Sequence, residues 1–61
     1  MRVFDVYLVS PQSHIFIREN RGNDSRVKEY EGGNDYKDRV VSRITATSYP
    51  MFPSVLELEI Q

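Results

Sequence analysis

The 61-residue chain has no cysteine and a single histidine, His14. Disulfide staples and thiolate metal sites are excluded. A structural zinc site, which needs several Cys or His ligands, has no ligand set, and no cofactor motif is present. A cysteine-free chain is compatible with a reducing, cytoplasmic setting. Glycine is scarce: Gly22 and the pair Gly32-Gly33 are all there is. Neither stretch has the spacing of a phosphate-cradling loop or a dinucleotide fingerprint, so both read as hairpin turns. Long apolar runs are missing too. None approaches the ~20 residues of a membrane-spanning helix. The N-terminal stretch from Met1 to Val6 has neither an apolar signal core nor a small-residue cleavage site, and is expected to open a complete small reading frame.

Charge of one sign is also lacking. Eight basic and nine acidic residues leave a formal net charge of −1. That is neither the basic surplus that drives phosphate-backbone binding nor the acidic coat of a nucleic-acid mimic. Residues 1–61 leave room for one domain. A domain of this size hides only ~60% of the surface its unfolded chain exposes, and its core supplies ~3–5 kcal/mol of net stability. With disulfides and metals excluded, the remaining staple is association, either a homo-oligomer or a stable complex with another protein.

Turn residues cluster at Ser10–Ser13, Asn20–Asp24, Gly32–Asp35 and Tyr49–Ser54, cutting the chain into five segments at all-β spacing. Arg2–Val9 alternates, with Phe4, Val6 and Leu8 on one face and Val3, Asp5, Tyr7 and Val9 on the other. Apolar residues on both faces predict a central strand. His14–Glu19 and Ser25–Glu31 predict a hairpin around Gly22, the second arm being a charged edge strand. In Ser54–Gln61, Leu56, Leu58 and Ile60 alternate with Glu57 and Glu59, one face buried and the other wet. Tyr36–Ser48 is ambiguous. As a strand it aligns Val40, Ser42, Ile44 and Ala46. As a helix over about 35–44, capped by Asn34 or Asp35, it makes a stripe of Tyr36, Val40, Val41 and Ile44. Its β-branched tail favours strand. The expected fold is an all-β antiparallel sheet or small barrel of four to five strands, with an α+β alternative carrying that one helix. The expected core is Phe4, Val6, Leu8, Ile15, Ile17, Val40, Ile44, Ala46, Leu56, Leu58 and Ile60. Length and segment number suit OB-like or SH3-like barrels only in a general way, and no signature residue of either is present.

Catalysis has little to work with. His14 is the only natural candidate for acid–base work, no nucleophile motif accompanies it, and Glu57 and Glu59 read as a solvated face. No catalytic residue is assigned and the chain is not expected to be an enzyme. The leading reading is a protein-binding module or inhibitor, of the kind that phages and mobile elements encode. Its anchors are Tyr49, Met51 and Phe52 in a proline-clamped tip, joined by Tyr7 and Val9 if one sheet face stays open. For Phe52 the competing role is a lid over a small core. A second reading is single-stranded nucleic-acid binding by Arg18, Arg21, Arg26 and Lys28, with Phe16, Tyr30 and Tyr36 as stacking platforms. The acidic run Glu29, Glu31, Asp35 and Asp38 opposes it. A third is a structural homodimer joined through the last strand or the third segment.

Overall fold

The β1–β2 hairpin forms where the turn residues require it. In the computed structural model, which describes residues 1–51 and 54–60, His14–Arg21 (β1) and Asp24–Tyr30 (β2) pair antiparallel from Ile15↔Tyr30 to Arg21↔Asp24. The two-residue turn between them has Gly22 at φ 59° and Asn23 at negative φ, as a type II′ hairpin demands. Val41–Thr47 (β3) and Val55–Ile60 (β4) form a second antiparallel pair, with a register shift at Ser42.

β1 and β4 join these pairs into one four-stranded sheet of order β2-β1-β4-β3. This central pairing is parallel, from His14↔Val55 to Glu19↔Ile60. The strand-dominated single sheet is as expected. The pure antiparallel arrangement is corrected to a mixed sheet. β4 has β1 on one side and β3 on the other, so of the two strands named for the homodimer reading it has no free edge, while β2 lies at the edge.

The first segment is a helix, Val3–Val9 (α1), not a central strand. Its residues also satisfy the helical period: Val3, Val6 and Tyr7 lie at i, i+3 and i+4, with Val3 and Val6 buried. β-branched and aromatic residues are poor helix formers, so the helix rests on tertiary support. The N–H groups of Val3 and Phe4, which have no acceptor inside a helix, donate to the carbonyls of Arg39 (3.0 Å) and Lys37 (3.1 Å). The Arg2 N–H donates to the Asp5 carboxylate at 3.0 Å. The helix alternative at about 35–44 is overturned: residues 31–40 form the connection that supplies these acceptors, and β3 follows as a strand.

α1 covers one face of the sheet. The core there is Val3, Val6, Ile15, Ile17, Tyr30, Leu58 and Ile60, with Tyr7, Tyr36, Val41 and Leu56 packed against it. Five of the expected core residues are buried: Val6, Ile15, Ile17, Leu58 and Ile60. Ile44 and Ala46 are exposed, because a seven-residue helix leaves the β3 side of the face uncovered, and Leu8 on α1 and Val40 before β3 are exposed as well. Val3, Tyr30 and Val55 are buried in addition. Glu19 is also inward and only 7% exposed. Arg39 Nη1 lies 3.3 Å and Arg21 Nη2 3.4 Å from its carboxylate, which offsets the cost of removing that charge from water.

Candidate functional site

Strand parity fixes what the other face presents. Where Ile15 and Ile17 point to the helix, Phe16 and Arg18 point away; the same holds for Glu57 beside Leu56 and Leu58. Register then sets Phe16 and Arg18 of β1 beside Glu57 and Glu59 of β4, which face Thr45 and Arg43 of β3. On the other side Val27 of β2 faces Arg18.

These side chains enclose a groove of about 250 Å³, lined by Phe16, Arg18, Val27, Thr47, Tyr49, Val55 and Glu57. Its floor carries an ion pair between the Arg18 guanidinium Nε and the Glu57 carboxylate, and Arg18 Nη1 also donates to Ser25 Oγ at 2.8 Å. Asn20 Nδ2 donates to Glu59 Oε1 at 3.0 Å. Polar groups in the middle are thus engaged within the sheet, while Val27 (48% exposed) and Tyr49 (53% exposed) stand as apolar walls. The volume is below the ~300–1,000 Å³ of sites for drug-sized ligands.

Of the residues singled out in the sequence, Tyr49 lines this groove and Met51, two residues further along the chain, is 84% exposed. Phe52 lies outside the described residues. Tyr7 is not brought to the surface with Tyr49. It sits on α1 over the covered face, edge-on to Tyr30 with ring centroids 5.4 Å apart, and Gly32 makes room for its ring: a Cβ there would meet it at 3.1 Å.

The basic set is dispersed. Arg18 lies in the groove paired to Glu57, and Arg21 is paired to Glu19. Lys28 stands over the Tyr36 ring at 5.7 Å and Arg26 is exposed on the edge strand β2. Tyr30 is buried in the core and offers no stacking platform. Its hydroxyl has no hydrogen-bond partner among the described residues, and burial, with Tyr7 and Asp38 nearby, raises its pKa above the usual tyrosine value. His14 Nδ1 lies 3.5 Å from Glu29 Oε2 at the start of β1.

Val27, Thr47 and Val55 were not singled out as site residues, and Phe16 was named only as a stacking platform for the nucleic-acid reading. No described helix is long and apolar enough to cross a membrane, and no group of three or more described His, Cys, Asp or Glu side chains is placed to hold a metal. Comparison of the chain with protein-family models, with curated proteins and with solved structures finds no match.

Proposed function

We propose that this chain is a non-catalytic binding module that takes an apolar side chain of a partner protein into the groove on the open face of its sheet. The observation that carries this reading is the composition of that face: Phe16, Val27, Val55 and Tyr49 ring an Arg18–Glu57 pair already satisfied within the sheet. Apolar walls around a satisfied polar floor gain from excluding water and leave no buried charge unpaired. Met51, exposed just beyond Tyr49, extends the contact surface. The setting proposed is the cytoplasm, where a chain without cysteine loses nothing to reducing conditions.

The test uses the double variant Val27→Thr/Tyr49→Ser. Both proteins are immobilised, checked by circular dichroism, and exposed to a lysate of the native host. The expected result is a protein held by the parent and released by the variant, with direct binding reproduced from the purified partner. Equal retention of every protein by a folded variant refutes the groove. A labelled single strand bound by the parent at low salt, and released as salt rises, would replace this reading with the nucleic-acid one.

A further inference from the structure

The sheet ends in two edges of opposite character. β2 is charged along its length: Asp24, Arg26, Lys28 and Glu29. β3 is not. After the irregularity at Ser42 it runs Arg43-Ile44-Thr45-Ala46-Thr47, with one charge, no proline and all but the last residue exposed. The backbone of residues 1–3 covers the start of this strand, through Val41 N–H to Met1 O at 2.9 Å and an Arg2↔Val40 bridge. No described strand pairs with the stretch beyond. Natural sheets guard such edges with charge, and β2 is so guarded.

We infer that β3 pairs antiparallel with β3 of a second copy of this chain, about a two-fold axis at Thr45, to make an eight-stranded sheet. The sequence is self-complementary in that register. Thr45 faces Thr45 of the second copy, Ile44 faces its Ala46, and Arg43 faces its Thr47. No like charges meet. On the helix-covered side a continuous apolar row runs Leu58, Ile44, then Ala46 and Leu56 of the second copy, closing over Ile44, which is 43% exposed in the single chain. On the open side Thr45 pairs hydroxyl to hydroxyl with its copy, a favourable cross-strand match. The same operation on β2, centred on Val27, sets Arg26 against Lys28 twice over, and like charges directly opposite destabilise a pair. A core this small is also short of burial alone, and the pairing supplies it.

The register makes the test specific, since the parent has no cysteine. Facing residues in an antiparallel pair have Cα atoms ~4.5–5.5 Å apart, within reach of a disulfide. Under mild oxidation Thr45→Cys is expected to cross-link at least about tenfold faster than Val27→Cys at the matching centre of β2. Ile44→Cys and Ala46→Cys are expected to cross-link when mixed and not separately. The unmutated chain is expected to sediment at twice its 7.2 kDa as concentration rises. Equal cross-linking of Thr45→Cys and Val27→Cys, or an unmutated chain that stays monomeric at about 1 mM, a concentration at which even a weak dimer forms, overturns the inference. A monomer whose β3 edge takes a strand from another protein falls under that second result.

Discussion

On the covered face of the sheet, Ile15, Ile17, Leu58 and Ile60 are almost without solvent contact beneath Val3 and Val6 of α1. On the open face the alternate residues of the same strands, Phe16, Arg18, Glu57 and Glu59, keep partial solvent contact, and polar contacts that cross from β1 to β4 tie Arg18 to Glu57 and Asn20 to Glu59. One helix of seven residues makes this difference. Stability is concentrated where the helix lies.

The sharpest way to break that contrast is Leu58→Ala. Leu58 is 0% exposed at the centre of the covered face. The substitution should cost ~2–5 kcal/mol, comparable to the whole stability of so small a core, and leave the monomer unfolded. A cooperative denaturant transition near the parent's would contradict the core assignment.

Tyr30→Phe sharpens the same face by about 1 kcal/mol or less, in the opposite direction. It removes a buried hydroxyl that has no hydrogen-bond partner among the described residues, so the variant should match or exceed the parent in urea. It should also flatten the alkaline response. Burial raises the Tyr30 pKa in the folded chain. The unfolded chain therefore releases its phenolic proton first, once pH passes about 10. The contribution is complete below that value and is lost as pH rises through the raised folded one. Denaturant midpoints at about pH 7 and about pH 11 should fall further apart in the parent than in the variant.

Arg18→Ala is the smallest of the three. Arg18 and Glu57 are 40% and 29% exposed in their side chains, so solvent screens the pair. A loss of ~0.2–1 kcal/mol is expected, weakening with added salt. A loss as large as that of Leu58→Ala would show the open face to be a second core.

The contrast also explains which parts of the fold were legible. The hairpin announced itself through Gly22, and β4 through its strict alternation. α1 did not, because Arg2–Val9 is apolar on both faces of a strand and so fits either period. The backbone acceptors at Arg39 and Lys37 that settle it lie more than thirty residues away in sequence. Tyr49 stood out beside its proline. Val27 and Val55 did not: Val27 reads as one apolar residue of a charged edge strand, and Val55 comes beside β1 only through the parallel β1–β4 pairing, a non-local contact that no local pattern encodes. Glu19 shares the inward face of Ile15 and Ile17, and the Arg39 that pairs with it there lies twenty residues away in sequence.

The claim that the open face is spare is tested most directly by urea melts of Val27→Thr/Tyr49→Ser beside Leu58→Ala. The account predicts that the double variant stays within about 1 kcal/mol of the parent while Leu58→Ala loses its folded baseline. A double variant that loses as much as Leu58→Ala would contradict it.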